Sequence, residues 1–292
     1  MVAPDKVKSV RFLTWGKNFN KFYKPIMDAH RNMGHEVDLL WYNKWNLAKL
    51  ERANPDIVYF WNGEYSFLSR AKKWCADNNI PNFCLELAWF PQGKSVYCDY
   101  HGTNGRCSLH FDDLSWLEQD DYTRLLSKRE EYRDGLSEWS GKYVLVPLQL
   151  THDTTMQRWS PLKANAKVIE TALRMFPDKK VVFRRHPKDK NKYHDLETEY
   201  NIKVDWEFGH SRSLKEMILG ADLVWGMNST VLSEAALMGK PVIAAGKSFL
   251  NIGQNREQAL AAMIAREIPI DTEDITPWTR RGRGLEHLSL NA

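Results

Sequence analysis

The chain has 292 residues, 43% of them hydrophobic and 27% charged, with a net charge of +4. These values describe a globular protein of one large or two medium domains and exclude a disordered chain, a collagen and a coiled coil. No apolar run approaches the ~20 residues that span a bilayer, so no stable membrane insertion is expected. The opening residues, MVAPDKVKSVRF, carry no secretory or lipidation signal, which places the protein in a cytoplasm.

In chain order, β-rich runs alternate with helical patterns. Residues 9–14 (SVRFLT) read as a strand. Residues 19–33 have helical spacing, with Phe19, Phe22, Tyr23, Ile26 and Met27 on one face and Gly34 as the stop. Strands follow at 35–41, 57–61 and 82–87, with helices near 47–53 and 65–78 between them. This rhythm implies a parallel sheet covered by helices on both faces. Residues 88–118 break the rhythm. They are rich in Gly, aromatic, His and Asp residues, and an irregular segment of that length inside a domain is usually functional. Residues 119–138 form a charged helical stretch.

A second α/β series begins at Tyr143. Strands are expected at 143–148, 181–184, 202–205, 222–225 and 241–244, and helices at 164–175, 214–219, 231–238 and 256–265. The last residues are polar and contain RRGRG (280–284). The expected architecture is α/β: two doubly wound parallel-sheet domains facing a cleft. The N-terminal, acceptor-side domain covers 1–141 and the C-terminal domain 142–270, followed by a tail over 271–292.

Residues 1–141 are electrically balanced, so the whole positive excess lies in 142–292, which suggests a phosphate-bearing partner. The four cysteines, Cys75, Cys84, Cys98 and Cys107, form no CxxC pair and read as free thiols. A zinc site drawn from them with His101 or His110 lacks the close ligand pair typical of structural zinc. Eight of the 12 tryptophans precede residue 141. Most belong in a core, though flat rings also stack on sugars and bases.

In open parallel sheets, ligands bind beyond the carboxyl ends of the strands. After 143–148 come Gln149, Thr151, His152, Asp153 and Thr154, polar groups suited to gripping a ligand or starting a helix. After 181–184 comes RRHP. A His186 held extended by Pro187, beside Arg184 and Arg185, suits a diphosphate or a phosphate-linked sugar, and a solvated basic loop would look the same. After 222–225, Asn228, Ser229 and Thr230 cap a helix whose first-turn N–H groups form an anion site, with Glu234 about one turn in. In the first half, Gly16 and Lys17 follow the first strand and Gly63 the third. Glu86 ends the strand at 82–87 beside Trp89. A buried carboxylate there should have a raised pKa and could act as a general base, with Asp99 and His101 as competing bases; a core Glu paired with an Arg, or an exposed Glu, would read the same.

Read together, ELAWFPQ (86–92), DYHGTNG (99–105), LVPLQLTHDT (145–154), RRHP (184–187) and NSTVLSEAALMGKPVIAAG (228–246) resemble the capsule polysaccharide biosynthesis glycosyltransferases, the Kdo-transferase-like group of the GT-B fold. The resemblance covers about 82–246. It implies two Rossmann-like domains, with a nucleotide-sugar donor on the C-terminal one and an acceptor on the N-terminal one. By that resemblance His186 and the Asn228–Ser229 turn contact the donor's nucleotide and phosphate, Glu234 its ribose or sugar, and Glu86 is the base. Phage enzymes that glycosylate hydroxymethylated DNA bases share the fold class.

The expected activity is therefore transfer of a sugar from a nucleotide-sugar donor to an acceptor hydroxyl. The donor-binding set is Gln149, His152, Asp153, Arg184, Arg185, His186, Asn228, Ser229, Thr230 and Glu234. The catalytic candidates are Glu86, Asp99 and His101, and the acceptor-side candidates Gly16, Lys17 and Trp89. The nucleotide sugar, UDP- or CMP-linked, is a co-substrate, with no tightly bound cofactor and no essential metal. The acceptor is a polysaccharide or glycolipid, or a hydroxymethylated pyrimidine in DNA. Two other readings remain open at this stage: a non-catalytic nucleic-acid-binding module using the basic clusters at 179–192 and 280–283, and a UDP-sugar epimerase, which needs no acceptor.

Overall fold

The computed structural model describes residues 7–14, 19–43, 47–137, 140–204 and 212–289. The chain divides into two compact units. One comprises Met1–Glu118 with Ala262–Ala292, the other Gln119–Ala261.

The first unit opens with β1 (Ser9–Thr14), α1 (Asn20–Asn32), β2 (Glu36–Trp41), α2 (Leu47–Ala53), β3 (Ile57–Trp61), α3 (Ser69–Asp77), β4 (Asn82–Leu87) and β5 (Ser95–Asp99). The chain then enters the second unit with α4 (Gln119–Arg133), β6 (Tyr143–Pro147), α5 (Thr154–Trp159), α6 (Asn165–Met175), β7 (Lys180–Arg184), α7 (His194–Glu199), α8 (Leu214–Gly220), β8 (Leu223–Gly226), α9 (Thr230–Leu237) and β9 (Val242–Ala244). Helix α10 (Arg256–Arg266) crosses the boundary and leads to β10 (Ile268–Pro269).

The first sheet has the order β10-β5-β4-β3-β1-β2. β2, β1, β3 and β4 are parallel, whereas β5 runs antiparallel to β4 and β10 antiparallel to β5. β3 (IVYFW) is buried at every position because helices cover both faces. Phe12, Tyr23, Ile26, Tyr59 and Leu85 fill one face. Leu13, Leu50, Val58, Phe60 and Cys75 fill the other. All four cysteines are buried free thiols, and burial pushes Cys75 up to about 12.

The second sheet, β7-β6-β8-β9, is wholly parallel. Val144, Val146, Ile169, Phe183 and Trp225 form its core on one side. The fold is thus α/β with two Rossmann-like units. Among the described residues, no helix is long and apolar enough to cross a membrane.

The expected boundaries differ from these units. Helix α4 packs on α9, and Arg129 Nε donates to the Leu237 carbonyl at 2.8 Å, so the chain changes unit at 118/119 and not at 141/142. Of the expected tail, residues 271–289 pack into the first unit. Trp278, Leu285 and Leu288 join the core of the first sheet. Arg266 forms a 2.6 Å ion pair with Asp99, at 3% and 0% side-chain exposure. The glycines of RRGRG permit close packing. Gly282 has φ +81, and a Cβ there would fall 2.1 Å from the Trp116 ring. In the same cluster, Arg280 and Arg283 both approach Glu118, at 3.3 and 3.7 Å. The expected strand at 202–205 reduces to a single bridge, Phe183 to Val204, with residue 205 outside the described residues. The helix start offered at 151–154 is realised as α5, with Asp153 as its N-cap. The sequence reading has no counterpart for short helix α7, nor for β5, because SVYCD mixes polar and apolar residues without alternation.

Candidate functional site

In the second unit the chain winds from β6 to β7 on one side, then jumps to β8 and β9 on the other. Strand order therefore reverses between β6 and β8. In sheets of this kind, a reversal point is where ligand crevices form beyond the carboxyl ends of the strands. Gln149 and Asn228 meet across it. Gln149 Nε2 donates to Asn228 Oδ1 at 3.1 Å, and the Asn228 backbone N–H donates to Gln149 Oε1 at 3.4 Å. Asn228 Nδ2 also donates to the Thr155 carbonyl at 3.1 Å. Asp153 caps α5, accepting from Thr155 N at 2.8 Å, and His152 is exposed on the same loop.

Ser229 is the N-cap of α9, its Oγ accepting from Val231 N at 3.3 Å, and Thr230 is the first helical residue. The N-terminal end of α9, with its partial positive charge, thus lies at the carboxyl edge of the sheet. Glu234, in the next turn, is half-buried. Burial pushes its carboxyl up to about 7, opposed by Lys215 of α8, whose ammonium stands 4.2 Å from the ring centre of Tyr132.

His186 follows β7, the other neighbour of β6. Its Nδ1 accepts from the Lys188 backbone N–H at 3.1 Å. Burial first, then Lys188, holds its pKa below the usual histidine value. At neutral pH the ring is therefore uncharged. With Nδ1 an acceptor, the hydrogen sits on Nε2. The two guanidiniums go to different partners. Arg184 Nη1 lies 2.9 Å from Met217 Sδ on α8, while the Arg185 guanidinium stands 5.4 Å from the Tyr193 ring centre. Consecutive side chains leaving a strand point to opposite faces, which separates them.

A buried network that sequence reasoning missed joins the loops after β6 and β7. Asn165, 2% exposed, donates from Nδ2 to the Gln149 carbonyl at 2.8 Å and to the Tyr193 hydroxyl at 2.7 Å. The Tyr193 hydroxyl donates in turn to Asp189, and the Asp189 N–H donates to the His186 carbonyl at 2.8 Å. A lone Asn at a helix start carries no sequence signal for this. The structure thus brings Gln149, Asp153, His186, Asn228 and Ser229 to one edge of one sheet.

In the first unit strand order reverses between β1 and β3. Gly16 and Lys17, after β1, lie outside the described residues. After β3 come Asn62 (φ +60) and Gly63 (φ +73), where a Cβ would meet Cys84 Sγ at 2.3 Å. Asn62 Nδ2 donates to Glu86 Oε2, and Leu87 N donates to Glu86 Oε1 at 2.9 Å. Glu64, 2% exposed, lies beside them on the same turn, its N–H donating to Asn62 Oδ1 at 3.0 Å, with Arg106 Nε 3.7 Å from its carboxylate. Asn62 and Glu64 were also missed. Only Gly63 marked that turn.

The other first-unit candidates have different roles. Asp99 is fully buried, and its oxygens accept from Arg266, the backbone N–H groups of His101, Gly102 and Ser108, and the Ser108 hydroxyl. That is an anchor for the returning C-terminal segment, in place of the competing base the sequence offered. His101 is exposed, its ring 4.3 Å from that of Tyr100, in a cavity whose lining does not include Glu86. Trp89 is no open platform. It is 5% exposed, stacks on Tyr97 with ring centres 4.7 Å apart, and its backbone N–H donates to Glu267 Oε1 at 2.8 Å.

The family model of the capsule polysaccharide biosynthesis proteins matches residues 117–268, more than half of the chain. The chain belongs to that family. Its fold is the GT-B-like α/β fold also seen in two solved structures of Thermosulfurimonas dismutans KpsC. The beta Kdo 2,7 transferase is 16% identical, with a TM-score of 0.66 over 90% of this chain and 96% of that one. The beta Kdo 2,4 transferase is 14% identical, with a TM-score of 0.58 over 86% and 89%. No curated protein matches the chain.

Proposed function

We propose that this protein is a glycosyltransferase that moves a sugar from a UDP- or CMP-linked donor to a hydroxyl of a glycan acceptor. Family membership and the fold shared with the two transferases support this reading. The observation that carries it is the Gln149–Asn228 pair at the reversal point of the second sheet, flanked by neutral His186 and the start of α9. As the bond from sugar to phosphate breaks, negative charge gathers on the leaving phosphate oxygen. The Nε2–H of His186 and the first-turn N–H groups of α9 are donors suited to that charge. Neutralisation by the protein's own groups is the basis for expecting no essential metal. Glu86, held by Asn62 and its own strand end, would take the acceptor's proton in an inverting transfer. Asn62 and Glu64 would shape the acceptor side.

Two of the three arginines in the 280–283 cluster, Arg280 and Arg283, approach Glu118, which weakens the nucleic-acid-module reading. Calorimetric titration with UDP, CMP and GDP tests the proposal. One pyrimidine nucleotide should bind, and His186→Ala should weaken it at least tenfold. Failure of all three to bind, or unchanged affinity in the variant, would reject the donor site.

A further inference from the structure

We propose that a cavity at the Asp99 end of β5 is a second carbohydrate-binding site, one that takes a neutral, hydroxyl-rich stretch of saccharide. As the place where an acceptor chain is held away from its reacting hydroxyl, it rests on the glycosyl-transfer reading above. As a binding site it stands on its own geometry.

Because β5 is antiparallel to β4, Asp99 lies opposite Cys84, the third residue of β4, whereas Glu86 lies towards the β4 end. The chain leaving β5 at Tyr100 and His101 therefore emerges away from the carboxyl ends of the parallel strands. There it lines a cavity of about 830 Å³, within the ~300–1,000 Å³ range of small-molecule sites.

Two features define the ligand. The first is a row of rings. Tyr100 is 59% and Phe111 71% exposed. The His101 ring lies between them, 4.3 Å from Tyr100 and 6.1 Å from Phe111 by ring centres. Single exposed aromatics are ordinary, but a contiguous row lining a cavity offers flat apolar faces to a flat partner. The second is a set of polar groups of both kinds. Arg281 supplies donors, and Asp112 and Glu286 supply acceptors. The carboxylates are already held in place. Asp112 accepts from Leu114 N at 2.9 Å and Trp116 Nε1 at 3.1 Å, and Glu286 accepts from Gly284 N at 3.1 Å. Groups fixed in advance lose little freedom when a ligand binds. Sugar hydroxyls both donate and accept, and the apolar C–H face of a sugar ring stacks on aromatics. A polyanion would meet the carboxylates. Asp113 and Arg266 also line the cavity, and a purely apolar ligand would strand its charged groups.

The test is native electrophoresis through gels containing amylose, dextran or hydroxyethyl cellulose, with alginate and duplex DNA as charged comparators. At least one neutral polymer should retard the full chain. The double variant Tyr100→Ala/Phe111→Ala should lose at least tenfold of that affinity while keeping its melting temperature and nucleotide affinity, since both rings are exposed. Retardation equal in the variant, no retardation by any neutral polymer, or retardation by alginate or DNA alone overturns the proposal. Nucleotide titration of the same preparations separates the two readings. Neutral-polymer binding without nucleotide binding would leave this site standing and remove the donor site.

Discussion

Gln149 and Asn228 exchange hydrogen bonds across the point where the second sheet reverses its strand order. The pair does two things at once. It ties the ends of β6 and β8 together, and through Asn228 Nδ2 it fixes the first turn of α5. Replacing Asn228 by Ala removes its two side-chain hydrogen bonds and leaves only the backbone N–H bond to Gln149 Oε1. Each net hydrogen bond contributes about 0.5–1.5 kcal/mol, so nucleotide affinity should fall roughly tenfold, with a small drop in melting temperature. Calorimetry alongside a thermal melt checks this, and unchanged affinity would separate the pair from the donor site.

Glu234 should give the protein a stability change around neutral pH. Its folded value of about 7 lies above the ordinary 4.5. The native state thus holds a proton that the unfolded chain has released. Stability from this group is full below about pH 4.5 and is lost as pH rises towards 7, by at most about 1.4 kcal/mol per pH unit. Urea midpoints of wild type and Glu234→Gln across pH 4.5–8 should converge at the acid end and diverge towards pH 7, the variant being the more stable there. A parallel course for the two proteins contradicts it.

His30 predicts the opposite slope. Its Nδ1 is 2.9 Å from His35 Nδ1 and its Nε2 2.9 Å from the Tyr59 hydroxyl, which also meets His287 Nε2 at 2.6 Å. Burial holds His30 at about 3, below the usual 6.5, and lowers His287 as well. Both rings are neutral in the fold and charge on unfolding. Stability is present above pH 6.5 and is lost as pH falls towards 3. His30→Gln should flatten this acid limb in urea melts, and a limb of undiminished steepness would assign it to other groups.

The ion pair of Asp99 and Arg266 joins residues 167 apart in the chain and closes the first unit. Removing one partner leaves a buried charge, at a cost of about 3–5 kcal/mol. Asp99→Asn should therefore lower the denaturation midpoint sharply. Arg266→Met in the same chain should recover part of the loss. Additive losses in the double variant would show that the two side chains are not coupled.

The sequence carried much of this fold in its local patterns. The span of β3 follows from an unbroken apolar run and those of β1 and β4 from β-rich runs interrupted by one charged residue, and the loops bearing Gln149, His186 and Ser229 are legible as polar residues just past such runs. Local pattern fails where a residue's role depends on a distant partner. Asp99 and His101 look like bases in a list of titratable residues, yet Asp99 is spent on Arg266 and on the turn around it. Trp89 looks like a platform, yet it packs on Tyr97.

Two things were decided by the amino-acid order alone: the alternation of strand and helix, and the polar character of the strand ends, because both depend on periodicity over a few residues. Tertiary structure decided where the C-terminal segment goes, how Arg184 and Arg185 part, and which amide Gln149 meets. Those outcomes depend on which strands become neighbours, and that is settled by burial across the whole unit, not by any short stretch of chain.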